Sequence, residues 1–131
     1  MENVLKAARD ITPPNGSLIC IFGCGGDRDT TKRPKMGRIA EELADKVIVT
    51  SDNPRSEDPQ QIITDILAGF RSVNDVIVEP DRELAIKAAY NIANANDVIL
   101  VAGKGHEDYQ ILADETIHFD DREKVREIFI G

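Results

Sequence analysis

Charged and amide side chains crowd into one short stretch directly after an apolar run. Asp52, Asn53 and Arg55 surround Pro54 and follow the run "KVIVT" at 46–50. A guanidinium offers a planar fork to a carboxylate or phosphate, and a carboxylate accepts hydrogen bonds from an ammonium group. An Asn-Pro pair is also typical of a plain turn, and on local sequence alone the turn is the stronger interpretation.

Two other segments carry similar groups. The segment 23–35, "GCGGDRDTTKRPK", contains Arg28, and "GKGHEDYQ" begins at Gly103 and contains His106 and Glu107. The first segment matches neither a Walker A loop nor the dinucleotide fingerprint, because Arg28 stands where the third glycine of G-x-G-x-x-G belongs. Its glycines fit a tight turn equally well. His106 has no partners at a telling spacing, so we predict no catalytic and no metal-binding residue in the chain.

The overall charge of the chain narrows its partners. The 131 residues carry a net charge of −8, which argues against nucleic acid or an anionic membrane as a partner. With no membrane-spanning apolar stretch and no signal-peptide pattern, we expect a cytoplasmic protein. A local excess of cations lies in Arg28, Lys32, Arg33, Lys35 and Arg38. Composition alone favours a solvated loop for these cations.

The two cysteines, Cys20 and Cys24, are expected to be reduced thiols. Four positions of extended chain separate their Cα atoms by about 13 Å, which is too far for a disulfide. No nearby pair of histidines completes a zinc site with them.

The remaining patterns predict the elements that position these segments. Apolar runs predict strands at 18–22, 46–50, 73–79 and 97–102, and 110–119 is expected to form a hairpin or an antiparallel edge strand. Helical spacing predicts helices at 2–10, 36–45, 59–69 and 82–95, with a last helix beginning after Asp120 or Asp121. Asp58 and Asp81 are the expected N-caps of the third and fourth helices. The side chains expected to face inward on the fourth helix are those of Leu84, Ala88 and Ile92.

Strands that alternate with helices predict an α/β fold. We expect one domain with a doubly wound, mostly parallel, Rossmann-like sheet and an antiparallel edge strand. Ligands of such sheets bind beyond the carboxyl ends of the strands, so Arg28, Asp52, Arg55 and Glu107 should meet at one edge. Both charge signs in one small site suit a zwitterion such as an amino acid, whereas a phosphate site would favour cations alone.

Four sequence blocks together resemble the C-terminal domain of the Mur ligase family. They are "FGCGGDRD…KRPKMG", "TSDNPRSEDP", "LVAGKGHEDYQ" and "HFDDREKVRE", and they cover essentially the whole chain in the family's order. Within the family, Asp-Asn-Pro-Arg resembles the signature of members that add meso-diaminopimelate, while lysine-adding members differ there. The resemblance therefore implies that residues 1–131 form an amino-acid-binding domain.

The resemblance also implies a set of residues around meso-diaminopimelate: Arg28, Asp52, Asn53, Arg55, Gly103 and Glu107. Arg55, with Arg28, would hold the distal carboxylate. Glu107 and Asp52 would suit the distal ammonium group, and the backbone of Gly103 would make a polar contact. Lysine lacks the distal carboxylate and would leave Arg55 without its partner.

The activity implied by the resemblance is the ATP-dependent addition of meso-diaminopimelate to UDP-MurNAc-L-Ala-D-Glu in peptidoglycan biosynthesis. The full-length enzyme would use ATP and Mg²⁺ on a central P-loop domain and bind the UDP substrate on an N-terminal domain, and this chain contains neither. We therefore expect the isolated chain to hold no cofactor tightly and to be inactive. Two alternatives remain open: a related Mur-type ligase that joins a preformed peptide, or a non-catalytic α/β module whose cationic loop binds phosphate.

Overall fold

The computed structural model describes residues 2–24, 30–51, 56–102 and 109–112, the last of these as backbone only. Helices and strands alternate along most of this part of the chain. Their order is α1 (Glu2–Ile11), β1 (Leu18–Phe22), α2 (Lys32–Leu43), β2 (Lys46–Val49), α3 (Pro59–Leu67), β3 (Ile77–Val78), α4 (Arg82–Ile92), β4 (Val98–Ala102) and β5 (Tyr109–Leu112).

Within the described residues, five strands form one sheet in the order β3-β2-β1-β4-β5. The pairs β3–β2, β2–β1 and β1–β4 are parallel, and β5 runs antiparallel to β4 at the edge. The strand order changes direction on either side of β1, as it does in doubly wound sheets. The predicted α/β fold with a mostly parallel sheet and an antiparallel edge strand is confirmed.

The central strands are buried on both faces, which explains why they read as continuous apolar runs. In β1, Leu18, Cys20 and Phe22 pack on one face with residues of α1, α2 and α3. Ile19 and Ile21 pack on the other face with residues of α4. Helices therefore cover both faces of the sheet.

Side-chain caps fix where α3 and α4 begin. The Asp58 carboxylate accepts a hydrogen bond from the Gln60 N–H at 3.0 Å, with Pro59 as the first helical residue. The Asp81 carboxylate accepts one from the Leu84 N–H at 3.1 Å. Both predicted N-caps are confirmed, because caps are set by residues close together in sequence.

The largest differences from the predicted boundaries are found in α2 and β3. Helix α2 begins at Lys32 rather than at position 36, so it takes in part of the segment that we expected to be a loop. Pro34 lies in the first turn of this helix, where its missing N–H costs no helical hydrogen bond. Strand β3 contains only Ile77 and Val78 instead of 73–79. Residues 74–75 form a turn before β3, which shortens this strand.

One of the three side chains predicted to face inward on α4 does not, whereas Ala88 and Ile92 pack against the core as expected. Leu84, expected inside, is 48% exposed, while Ala85, Ile86 and Ala89 are buried. Alanines on the buried face permit a close approach of α4 to the sheet.

Helices α2 and α3 approach each other closely, and glycine makes this possible. A Cβ atom on Gly37 would collide with the backbone carbonyl of Ile66 and would lie 2.9 Å from the ring of Phe70. A Cβ atom on Gly69 would collide with the backbone of Pro34. The closeness of these two helices determines where their polar side chains meet.

Several predictions fall on residues outside the described part of the chain. They include most of the predicted hairpin after position 112 and the last helix after Asp120 or Asp121. Across the described ranges, none of the helices combines the length and the apolar composition that crossing a bilayer requires.

Candidate functional site

The six residues predicted to bind an amino acid lie outside the described residues: Arg28, Asp52, Asn53, Arg55, Gly103 and Glu107. Their assignment stays a prediction. The structure does describe the strand ends from which their three segments leave the sheet, and the side chains that support those ends.

The three strand ends lie side by side. Phe22 at the end of β1 pairs with Val49 at the end of β2, and Ile21 pairs with Val101 near the end of β4. Because neighbouring strands are about 4.8 Å apart, the ends of β2 and β4 are separated by about 10 Å. The order of the strands changes direction between β1 and β4, which is where doubly wound sheets bind ligands. This carboxyl edge is the candidate site.

Two sulfur-containing side chains contact each other just after the end of β1. Cys24 is buried, and its thiol lies 3.6 Å from the sulfur of Met36, which is in α2. Burial raises the pKa of Cys20 to about 12, so this thiol stays neutral at physiological pH. Both cysteines are free thiols, as the sequence predicts.

The end of β2 is held by backbone hydrogen bonds. The N–H of Thr50 donates to the carbonyl of Phe22 at 2.9 Å and continues the strand pairing by one residue. The buried Thr50 hydroxyl and the Ser51 N–H both reach the carbonyl of Pro80, at 3.4 and 3.3 Å. The chain therefore enters the predicted segment 52–55 from a fixed position.

An arginine missed by the sequence analysis reaches the end of β4. Arg82 opens α4, and its guanidinium donates to the carbonyl of Ala102 at 3.4 Å. Ala102 is the last residue before Gly103. Arg82 and Ala102 are 20 positions apart in sequence, so no local sequence pattern predicts this hydrogen bond.

A second missed arginine lies in the segment that we expected to be solvated. Arg33, in the first turn of α2, is 1% exposed. Its Nη1 and Nη2 atoms donate to the two carboxylate oxygens of Glu57, each at 2.9 Å, and Nη1 also lies 2.9 Å from Oδ2 of Asp65. We call Arg33, Glu57 and Asp65 the Arg33 anchor.

The electrostatics of the Arg33 anchor keep its guanidinium charged. The hydrogen bond to Glu57 is the largest of the effects that raise the pKa of Arg33 above its usual range, and Asp65 adds to it. Desolvation acts in the opposite direction and is outweighed. The cation therefore serves internal carboxylates, and it is not available to a ligand.

A different anchor holds the other end of α2, at the opposite edge of the sheet. The Glu41 carboxylate accepts hydrogen bonds from the backbone N–H groups of Arg71 and Ser72 at 2.9–3.1 Å. These bonds lower the pKa of Glu41 below its ordinary value of 4.5, and the bond from Arg71 has the largest effect. We call Glu41 and its two backbone donors the Glu41 anchor.

The described part of the chain offers no ready site for a metal ion. Over these residues, three or more His, Cys, Asp or Glu side chains nowhere converge in an arrangement that could hold one. The Arg33 anchor contains only two carboxylates, and both already accept from the guanidinium.

Comparison with known families and proteins identifies the relatives of this chain. The family model of the Mur ligase, glutamate ligase domain matches residues 1–105. A protein of Synechococcus elongatus named UDP-N-acetylmuramoyl-L-alanyl-D-glutamate–2,6-diaminopimelate ligase is 61% identical over 126 residues, which is 96% of this chain and 25% of the relative. A protein of the same name from Clostridium tetani is 60% identical over 98% of this chain and 26% of the relative.

A solved structure agrees with these sequence relatives. It carries the same ligase name, and it superposes on this chain with a TM-score of 0.78 at 42% identity, covering 97% of this chain and 26% of the solved one. The chain thus spans about a quarter of the length of the relatives that it matches. From this agreement of sequence and fold, the chain belongs to the Mur ligase family and matches its glutamate ligase domain.

Proposed function

We propose that this chain is the amino-acid-binding domain, spanning residues 1–131, of a ligase that adds meso-diaminopimelate to UDP-MurNAc-L-Ala-D-Glu in peptidoglycan biosynthesis. The observation that carries the proposal is the 61% identity, over 96% of the chain, to a relative named for that reaction. Other relatives of the same name, at 57–61% identity, support it. The relatives reported above are named for the addition of 2,6-diaminopimelate itself, which favours this reaction over the joining of a preformed peptide.

The role of the chain in this reaction is to bind and orient the incoming amine. Arg55 and Arg28 take the distal carboxylate of diaminopimelate, Asp52 and Glu107 the distal ammonium group, and Asn53 and the Gly103 backbone complete the site. The adjacent ends of β1, β2 and β4 support this arrangement, because each of the three segments leaves the sheet at that edge. Orientation of a nucleophile is a large source of rate enhancement.

ATP and Mg²⁺ belong to the proposal for the whole enzyme, where ATP supplies the phosphoryl group that activates the acceptor carboxylate. Across the described residues, no group of three or more His, Cys, Asp or Glu side chains could hold a metal ion. The inactivity of the isolated chain and its cytoplasmic location stay predictions.

Replacing Arg55 in the full-length enzyme tests the proposal. A charge-assisted bidentate contact contributes about 1.5–3 kcal/mol, so Arg55→Ala should raise the KM for meso-diaminopimelate by about ten- to a hundredfold. Arg55→Lys keeps the charge but loses the fork, and it should fall between wild type and Arg55→Ala. The measurement is ADP release with meso-diaminopimelate and, in separate reactions, with lysine as the amino-acid substrate.

The exposed Arg38 provides the matched control, because Arg38→Gln removes a guanidinium from the same chain without touching the predicted site. This variant should keep wild-type kinetics. If Arg55→Ala leaves the preference for meso-diaminopimelate over lysine unchanged, the role of Arg55 is refuted. Wild-type enzyme with no turnover of meso-diaminopimelate would refute the proposed reaction itself.

A further inference from the structure

The Arg33 anchor lies beside two of the segments that carry the predicted site. Arg33 follows Arg28 by five positions, and Glu57 follows Arg55 by two. Its guanidinium joins the two segments at that point, because both Nη atoms bind the Glu57 carboxylate at 2.9 Å. The contact therefore fixes where the chain leaves the first segment relative to where it leaves the second.

The third member ties both segments to the helical layer. Asp65 belongs to α3, accepts from Nη1 of Arg33 at 2.9 Å, and is itself held by Nε2 of Gln61 at 2.9 Å. The close approach of α2 to α3 at Gly37 brings these groups together. The anchor consequently joins α2, the residues after 52–55, and α3 in one rigid unit.

The chemistry of the anchor requires arginine. Nη1 and Nη2 bind the two oxygens of Glu57 in parallel while Nη1 also serves Asp65. A lysine ammonium has three donors at a single point and cannot reproduce two parallel bonds. Lysine at this position would preserve the charge but not the relative position of the two segments.

We infer that Arg33 is a positioning residue for amino-acid selection: it holds the ends of the segments that carry Arg28 and Arg55 in one fixed arrangement. The inference rests on the proposed function and adds a residue outside the predicted site. Arg33 does not touch the substrate in this role, because its guanidinium is 1% exposed and bound to carboxylates of the chain. A displacement of about 1 Å at a binding group is enough to cost up to about a hundredfold in rate.

The test uses the full-length enzyme with Arg33→Lys and the milder Glu57→Gln, which leaves Arg33 its contact with Asp65. Both variants should raise the KM for meso-diaminopimelate by about tenfold or more. They should also lower the ratio of kcat/KM for meso-diaminopimelate to kcat/KM for lysine. The KM for ATP should stay within about twofold of wild type. Both variants break the same anchor. The double variant should therefore raise the KM for meso-diaminopimelate by less than the product of the two single increases.

Glu41→Gln is the matched control, since it loosens an anchor of the same helix at the opposite edge of the sheet. It should lower thermal stability while leaving the preference for meso-diaminopimelate intact. Equal rises in both KM values, or a preference that falls as far in Glu41→Gln as in Glu57→Gln, would reduce Arg33 to a purely structural role and overturn the inference.

Backbone hydrogen exchange supplies a readout that needs no substrate. In Arg33→Lys and Glu57→Gln, peptides covering 50–62 should exchange faster while those covering 68–76 stay at wild-type rates, and Glu41→Gln should show the reverse. Unchanged exchange at 56–58 in both anchor variants would overturn the inference even if the enzyme ligates diaminopimelate. Faster exchange in the two anchor variants, together with a wild-type enzyme that does not turn over diaminopimelate, would instead locate the failure in the proposed function.

Discussion

Charged side chains of opposite sign hold the two ends of helix α2. At the carboxyl edge of the sheet, the buried Arg33 joins two carboxylates that are distant in sequence. At the opposite edge, Glu41 accepts hydrogen bonds from two successive backbone N–H groups. The first anchor depends on the planar fork of one side chain, whereas the second needs only an ionised carboxylate near the backbone.

The candidate site is therefore supported by the Arg33 anchor, which has the stricter geometric requirement of the two. A buried guanidinium that loses a partner, or carboxylates that lose their guanidinium, cost several kcal/mol, whereas a partly exposed carboxylate can be replaced by water at its donors. We therefore expect the carboxyl edge to tolerate fewer substitutions than the opposite edge. Four substitutions should separate the two edges, and they differ widely in expected size.

The largest effect should follow Arg33→Met, which keeps the length of the side chain and removes its charge. Glu57 and Asp65 lose the guanidinium that they share, and breaking a buried ion pair from one side costs about 3–5 kcal/mol. These carboxylates are 26% and 28% exposed, so water relieves part of the loss and the lower end of the range is expected. Urea unfolding of the 131-residue chain, followed by circular dichroism, measures it. A loss below about 1 kcal/mol would contradict the account of the anchor.

The burial of Arg33 shows where sequence reasoning failed. Arg33 lies among cations in a segment that was predicted to be a loop, and its partners Glu57 and Asp65 are 24 and 32 positions away. Only the tertiary packing of α2 on α3 brings the three together. Pro34 added to the error, because a proline next to charges suggests a loop although it is also tolerated in the first turn of a helix.

Features set by neighbours in sequence were predicted well. The strand Leu18–Phe22 was predicted with its bounds, and Asp58 and Asp81 were identified as caps, because apolar runs and caps are local. On α4, Ala88 and Ile92 pack against the core as predicted, but Leu84 is exposed, because the exact limit of a buried face depends on what the helix packs against. The six site residues were predicted from the resemblance to the family, and local sequence patterns do not predict how they are arranged in space.

Gly37→Ala should give the second-largest effect. Alanine in place of glycine within an exposed helix stabilises by roughly 0.5–1 kcal/mol, but here a Cβ atom would press on the Ile66 carbonyl and the Phe70 ring. Overpacking of this kind costs about 1–3 kcal/mol, so the sign of the effect should reverse. Separation of α2 from α3 should also speed hydrogen exchange in peptides covering 56–65, near the Arg33 anchor. A raised urea midpoint would disprove the close approach.

Glu41→Gln should give a smaller loss, of about 1 kcal/mol at neutral pH, because glutamine retains one acceptor oxygen and loses the charge. The backbone donors Arg71 and Ser72 lower the pKa of Glu41 in the folded chain, so its contribution is complete above the ordinary value of 4.5. That contribution is lost as the pH falls through the lowered folded pKa. Wild type and Glu41→Gln should therefore converge in stability below about pH 4.5.

Urea midpoints measured across this pH range provide the check, with Glu42→Gln as the control. Glu42 is the next residue in the same helix, and its carboxylate binds the exposed Arg38 rather than the backbone. Its substitution should cost less at neutral pH. If the difference in urea midpoint between wild type and Glu41→Gln grows as the pH is lowered, the direction of the pKa shift is contradicted.

The smallest effect should follow Arg38→Gln, although Arg38 and Arg33 lie on the same helix and in the same cationic segment. Arg38 binds Glu42 one turn away at 2.9 Å, with the two side chains 46% and 52% exposed. Exposed pairs at this spacing contribute about 0.3–0.5 kcal/mol and weaken as salt screens them. Urea unfolding at low and at high salt should thus show a small loss that vanishes with salt, while the loss in Arg33→Met persists because buried charges are screened far less. Equal salt dependence of the two variants would mean that burial does not distinguish these arginines, and the contrast between the two edges of the sheet would then lose its physical basis.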